Sequence, residues 1–576
     1  MPNEAERVDS LKSLKTFSNN KRVDVLGLCQ QENILRDMLN WAGARHIQFF
    51  TDYSRQSCGE VCLYQNDVPK EYLKYYQASS ELNIQQWLYD YYERWRSCEN
   101  ETVRLLKGLS KEITEPEPDA KHVAVLVQPT LGDTIPMYML VWVFLLASSS
   151  KLNVTILMND YHYSHALDFD EMNMQSVLNM TRFASEFIPV VYYSNYKKNN
   201  ELTGKTVTSI ERVAKYSIIH LLAGETVPDE HGLKELLIDQ LKNEAKRVYE
   251  ILDLHSFDEV LVFNGTWCSS GVLYEICEER KIQCLTVEIN GAFCLNGPAV
   301  HHRDIPYVVD ALQHEDNKKI FDEMMELILA KKTGQVKFNM DLRNEEGKWK
   351  NEYENYILLL PNIVWETSVL GLHDVFEGTM KWIEETAVWL VENTEKTLIV
   401  RRHPAEREFP TRVKDDMEAI LKPYIEMGRV VFISQYQDVN TYCLIENADC
   451  VLIASGTAGL EATALGKPVI SCCDAYYTRC GAIYRARTKD EYYGYLSKVC
   501  ENNLGITEQQ RKTALLYYYV LVSCNIPYCY SIFDGWPQNL TTNMLREKMG
   551  ADLVIESIVR KIPVALLQHR QNIGVI

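Results

Sequence analysis

The chain has 576 residues, of which 46% are hydrophobic and 24% charged, with a formal net charge of −19. That length exceeds a single hydrophobic core, so two or three domains are expected of an otherwise ordinary globular composition. An acidic balance of this size argues against a nucleic-acid binder, whose phosphate neutralisation needs a basic surface, but leaves room for a local basic pocket.

The N-terminus (MPNEAERVDSLKSLK) holds no apolar stretch, so no secretory signal is expected. The 16 cysteines lack zinc-site spacing and read as reduced core thiols, with Cys472 and Cys473 adjacent in one strand. Residues 1–115 form an N-terminal extension, in which 22–50 read as strand, helix and strand, and about 70–107 as a Tyr- and Trp-rich helical stretch. The acidic linker EITEPEPDA (112–120) leads to an α/β series over 120–335. Its run IPMYMLVWVFLLA (135–147) is too short to span a bilayer and reads as a buried helix. Strands are expected at NVTILM, IPVVYY, YSIIHLL, EVLVFN and QCLTVEI, with helices between them.

A charged helix (315–332) and the polar stretch 339–355 mark the boundary with a third series over 355–505. That series runs YILLLP, helix 375–393, TLIVRRHP, helix 412–426, RVVFIS, helix 438–447, CVLIA, helix 458–465 and PVISC. Residues 506–576 read as a helical tail. The alternation predicts an α/β fold class: two Rossmann-like domains facing a cleft, with helical extensions at both ends. Ligand is expected at the C-terminal ends of the strands.

The third series carries the chemistry. TLIVRRHPAE (397–406) is a β-branched run ending in Arg401, Arg402 and His403, and ADCVLIASGTAGLEATALGKPVIS (448–471) follows it. Ser455, Gly456 and Thr457 form a small-residue turn opening a helix, where backbone N–H groups and the dipole favour a phosphate. Ser and Thr are also the preferred N-caps, and the two roles are compatible. Glu461 lies one turn into that helix, where a carboxylate can reach a ribose diol. Its apolar neighbours make an unpaired carboxylate costly, which favours a ligand-facing role over a solvated one. His403 can donate to a donor phosphate, and the bland alternative is a basic strand end. DFD (168–170) imitates a metal-binding Asp-x-Asp but sits in a polar stretch, and PTLGD lacks the lysine of a P-loop. Asp438 and Asn440 read as helix caps, and Trp365 and Glu366 face the cleft if their strand ends at LLLPN.

LLLPNIVWETSVLG (358–371), VRRHPAE (400–406), QDVNTYCLIENADCVLI (437–453) and SGTAGLEATALGKPVI (455–470) together resemble bacterial capsule and surface-polysaccharide biosynthesis proteins, a group that includes the capsular Kdo transferases. VFNGTW (262–267) and TVEINGAF (286–293) look like that family's Asn-Gly and Glu-x-Gly segments. The resemblance spans roughly 260–530, with departures: Asn-Gly-Arg becomes Asn264-Gly265-Thr266, and Glu-Arg-Gly becomes Glu288-Ile289-Asn290-Gly291. It implies a GT-B glycosyltransferase whose C-terminal domain binds the donor nucleotide through Arg402, His403, Ser455, Gly456, Thr457 and Glu461. His-Pro accompanies cytidine nucleotides in such enzymes, making a CMP-sugar the first donor to test. The catalytic carboxylate would come from the opposite domain, either Glu288 or Asp133, the latter also readable as an N-cap.

No metal is expected to be required, because helix N-termini and basic side chains can neutralise the leaving phosphate, and no cofactor is expected beyond the nucleotide-sugar co-substrate. The implied acceptor is a surface polysaccharide or glycolipid, reached at the inner face of a membrane by a cytoplasmic, peripherally attached protein. A sugar-nucleotide epimerase of similar build and a non-catalytic glycan-assembly protein are the rival readings.

Overall fold

The computed structural model describes residues 99–575 except 129–133, 161–170, 198–199, 223, 227–232, 289–290, 314, 334–352, 367, 409–414, 438 and 526–540, together with a short antiparallel pair formed by β1 (Arg22–Asp24) and β2 (Cys62–Tyr64). The readings of a helix within 22–50, of the Asp-x-Asp turn, of Asp438 as a cap and of Asp133 lie outside these residues.

Two six-stranded sheets organise the rest. The first contains β3 (Lys121–Val127), β4 (Leu152–Met158), β5 (Val190–Tyr192), β6 (Glu259–Phe263), β7 (Gln283–Val287) and β8 (Phe293–Cys294) in the order β5-β4-β3-β6-β7-β8. Its pairs are parallel except β7 with β8. The second contains β9 (Tyr356–Leu360), β10 (Thr397–Arg401), β11 (Val430–Ile433), β12 (Ala448–Ile453), β13 (Val469–Ser471) and β14 (Tyr484–Arg485) in the order β11-β10-β9-β12-β13-β14. All of its pairs are parallel.

Counted within its own domain, each sheet has the order 3-2-1-4-5-6 of a dinucleotide-binding fold. The strand order reverses beside the first strand, so the crevice opens between β3 and β6 in one sheet and between β9 and β12 in the other. Strands β6 and β9 are buried along their whole length, as expected of parallel strands covered by helices on both faces.

The apolar run at 135–147 is a buried helix, Thr134–Ala147, with Met137 through Ala147 all in the first core. YSIIHLL is a correction: it ends the helix Gly204–Leu222 and is not a strand. Thr206, Ile210, Val213, Ala214 and Ser217 are buried at three- and four-residue spacing, so the helical period of the longer segment outweighs the local apolar run. Asn440 does cap its helix, Thr441–Asn447, its side chain accepting from Tyr442 N and Cys443 N. Chain order and packing diverge near the boundary. Helices Ile305–Leu312 and Lys318–Lys332 precede the polar stretch yet belong to the second core, while Leu545 to Val564 of the tail return to the first.

Candidate functional site

The second crevice is built from the ends of β9, β10 and β12. β9 runs into Pro361-Asn362, and Asn362 reads the turn after β12 with both ends of its amide. Its Nδ2 donates to Ser455 Oγ at 2.9 Å, and its Oδ1 accepts from Ser455 N at 3.1 Å. Ser455 Oγ donates its own proton to the Ser368 carbonyl at 3.0 Å. The turn is pinned from below as well, since Tyr477 Oη donates to the Gly456 carbonyl at 2.7 Å. A Cβ on Gly459 would meet that hydroxyl at 2.8 Å, which explains glycine in a buried helix. Thr457 is exposed at the mouth of this turn, with no side-chain cap bond to the helix it opens.

His403 follows β10. Its Nδ1 accepts from Ala405 N at 3.2 Å, which leaves the ring proton on Nε2. Burial, helped by the Arg401 charge, pushes its pKa down to about 4, so the ring is neutral at physiological pH. It is therefore a neutral donor beside the crevice rather than a cation. Arg401 itself is fixed to the helix Thr441–Asn447 region, Nε on Thr441 Oγ1 at 2.9 Å and Nη2 on the Val439 carbonyl at 3.0 Å.

Two expected nucleotide contacts are engaged elsewhere. Arg402 donates to Glu406 at 2.6 Å and to the Asp415 carbonyl at 2.9 Å, with both members of the ion pair nearly inaccessible. Glu461 accepts from Lys331 Nζ at 2.5 Å and from Tyr442 Oη at 3.0 Å, only 4% exposed. The buried carboxylate is paired, but its partner is a lysine 130 residues upstream, on the helix Lys318–Lys332. Nothing local in the sequence marks that pairing.

The first crevice brings together the two motifs that end β6 and β7. Asn264 (φ 62°) and Gly265 (φ 85°) form a left-handed turn, and a Cβ on Gly265 would strike Thr286 Cγ2 at 2.9 Å. Asparagine tolerates that region and glycine alone fits the second position. Asn264 Nδ2 donates to Glu288 Oε1, tying the expected carboxylate to the sheet edge. Behind them, buried Glu244 accepts from Ser269 Oγ at 3.0 Å and Asn159 Nδ2 at 3.3 Å, and burial pushes its pKa up to about 8. Sequence reasoning missed that trio, since its members are spread over 110 residues.

The two domains meet through the C-terminal end of the helix Gly204–Leu222. His220 Nδ1 lies 3.1 Å from the Trp365 carbonyl, and its ring is 4.7 Å from that of Trp267, at the end of the β6 turn. Among the described residues one soft-donor group converges. His373 Nδ1 is 3.4 Å from Cys473 Sγ, with Cys472 alongside. Burial pushes the Cys473 thiol well up, so the contact is a thiol–imidazole hydrogen bond as it stands.

Residues 314–492 match the family model described as capsule polysaccharide biosynthesis protein. That stretch covers the whole second sheet and the helix Lys318–Lys332 before it. No curated protein matches the chain. Among solved structures, a β-Kdo 2,7 transferase KpsC from Thermosulfurimonas dismutans aligns at 14% identity over 47% of this chain and 80% of that one, with a TM-score of 0.29. A UDP-GlcNAc 2-epimerase from Neisseria meningitidis aligns at 10% identity over 76% of this chain and 100% of that one, with a TM-score of 0.22. The calicheamicin glycosyltransferase CalG4 aligns at 10% identity over 75% and 98%, with a TM-score of 0.25. At such scores the two sheet orders, rather than the superpositions, carry the fold. No helix among the described residues is long and apolar enough to cross a membrane.

Proposed function

We propose that the protein is a glycosyltransferase that moves a sugar from a nucleotide-activated donor to a glycan acceptor of the capsule or glycolipid type. The observation that supports this most is the crevice between β9 and β12 within the stretch that matches the capsule-biosynthesis model. There an exposed Thr457, a pinned Ser455-Gly456 turn and a neutral His403 donor line the strand ends. The donor phosphate would sit on the Ser455–Thr457 turn, with His403 donating to the leaving nucleotide as charge grows on it. Arg402 and Glu461 hold this wall in place from behind. Glu288 would face the acceptor from the first sheet, and Asp133 is the other carboxylate that the sequence offers for that role. Transfer forms a bond from the acceptor oxygen to the anomeric carbon. It breaks the bond from that carbon to phosphate, whose oxygen keeps the electron pair, and the acceptor proton passes to the carboxylate. A CMP-sugar is the donor to try first.

The test is a thermal-shift panel of CMP, CDP, UDP, GDP and ADP. A nucleotide at ~100 times its Kd should add roughly 2.7 kcal/mol of stability. Stabilisation by CMP that disappears in His403→Ala is the expected result. Preference for UDP or GDP would keep the reaction class and change the donor. A chain that responds to none of them would not be a nucleotide-sugar enzyme.

A further inference from the structure

We propose that His373, Cys472 and Cys473 form a binding site for a thiolate-seeking metal ion, Zn²⁺ or Cu⁺, beside the contact that joins the two domains. His373 Nδ1 and the two Sγ atoms lie within 4.8 Å of one another, and no other group of three His, Cys, Asp or Glu side chains converges in this way among the described residues. The His373 Nδ1 to Cys473 Sγ separation is 3.4 Å. A sulfur at ~2.3 Å and a nitrogen at ~2.0 Å from one tetrahedral ion stand about 3.6 Å apart, so this edge is already close to the bonding separation. Thiolate with imidazole is a soft donor set, which selects Zn²⁺ or Cu⁺ over Mg²⁺, Ca²⁺ or Mn²⁺. Charge also balances in the buried setting: two thiolates cancel Zn²⁺, and one cancels Cu⁺.

The fold holds these side chains in place. His373 and Cys473 face each other across an antiparallel bridge, and next to it Asp474 N donates to the Leu372 carbonyl at 2.8 Å. Cys473 N donates to Ser471 Oγ at 3.1 Å, and the Cys473 carbonyl accepts from Arg485 Nε at 3.2 Å. The imidazole is oriented through its other nitrogen, Nε2, which lies 2.9 Å from Thr379 Oγ1. With the ring proton on Nε2, Nδ1 presents its lone pair to the sulfurs, which is how a metal-ligating histidine is set. Buried thiols alone are ordinary core packing. The thiols of Cys277 and Cys284 are hydrogen-bonded to each other in the first domain, but no histidine joins them in such a group. Cys472 and Cys473 are fully buried, whereas His373 keeps partial exposure. Thr379 in turn opens the helix Thr379–Asn393, whose first N–H groups are held by Glu225 of the other domain. An ion on His373 would thus stiffen the second domain's side of that contact.

Metal titration of the full chain, reduced and stripped with a chelator, tests this. Co²⁺ serves as the visible stand-in for Zn²⁺, and Cu⁺ is titrated without oxygen against a chromophoric chelator. The expected result is one ion per chain, with thiolate-to-metal charge-transfer absorption and release of the thiol protons on binding. His373→Ala and Cys473→Ala should each weaken binding more than about 100-fold. Cys284→Ala, in the other domain, should leave it unchanged. A tetrahedral cobalt spectrum that Zn²⁺ abolishes identifies zinc, and capture of Cu⁺ without it identifies copper; each upholds the site. Failure of both metals to bind, or binding that survives Cys473→Ala, overturns it. Should the variants not fold, alkylation of the wild type in mild urea decides, mapped by mass spectrometry. The bound ion should slow modification of Cys472 and Cys473, and protection confined to other cysteines overturns the assignment.

Discussion

Glu259 opens β6 with 1% of its surface exposed, and neither carboxylate oxygen has a hydrogen-bond partner among the described residues. Burial pushes its pKa from the usual 4.5 to about 8, with Lys121 and Lys561 opposing. For an acid whose folded pKa is raised, the unfolded chain loses its proton first, so stability falls as pH rises from about 4.5 towards 8. Glu259→Gln should therefore melt close to wild type at pH 5 and clearly higher at pH 8.5. The gap should be on the order of a few kcal/mol, since each tenfold change in proton affinity is worth about 1.4 kcal/mol. Urea midpoints at the two pH values check this, and a constant gap would place the effect in packing instead. The contrast with Glu461 is instructive. Both carboxylates are buried on apolar elements, but of the two only Glu461 has a lysine in hydrogen-bond contact among the described residues, and neither outcome is written in its neighbours.

At the scale of elements, two carboxylates latch the domains together. Glu225, just after the helix Gly204–Leu222, accepts from Thr379 N at 3.1 Å and Met380 N at 3.0 Å, capping the helix Thr379–Asn393 of the other domain. Asp415 answers from that domain, accepting from Glu225 N at 2.7 Å and Thr226 N at 2.9 Å. The close approach requires Gly378, because a Cβ there would meet the Glu225 carboxylate at 2.7 to 2.9 Å. Gly378→Ala should eject the carboxylate and leave the helix N-terminus uncapped, at a cost of about 1–3 kcal/mol. In the latched protein, limited proteolysis should spare the segment near 224–226, and in the variant it should cut there. An unchanged cleavage pattern and melting point would mean the latch contributes nothing.

Across the whole molecule, neither core is contiguous in sequence. The helix Ala551–Arg560 buries Ala551, Val554, Ile555 and Ile558 in the first core, and Lys121 Nζ donates to the Ile558 carbonyl at 2.6 Å. The helix Glu508–Ser523 meanwhile packs in the second core. The tail is thus a strap that crosses from one domain to the other. Removing 541–576 should take Leu545, Met549, Val554, Ile555, Ile558 and Val564 out of the first core, each worth roughly 1.5–3 kcal/mol. Dye binding to exposed apolar surface and loss of soluble protein are the expected readouts. A truncated chain with unchanged melting would show the strap to be dispensable.

What the sequence determined by itself is whatever depends on short-range pattern. Alternating apolar strands and helices set two largely parallel sheets, and the small-residue turn after β12 and the His-Pro after β10 lie at the strand ends that border the second crevice. YSIIHLL misled because a short, largely apolar run of seven residues is ambiguous until the period of the whole nineteen-residue helix is weighed. Tertiary structure alone decided which charged side chains remain available. Arg402 went to Glu406, Glu461 to Lys331 and Glu225 to a helix in the other domain, whereas Glu366 has no ion-pair partner among the described residues. The reason is physical. Pairing energy and desolvation depend on distances across the fold, and residues 130 or 154 apart in the chain carry no local trace of their meeting.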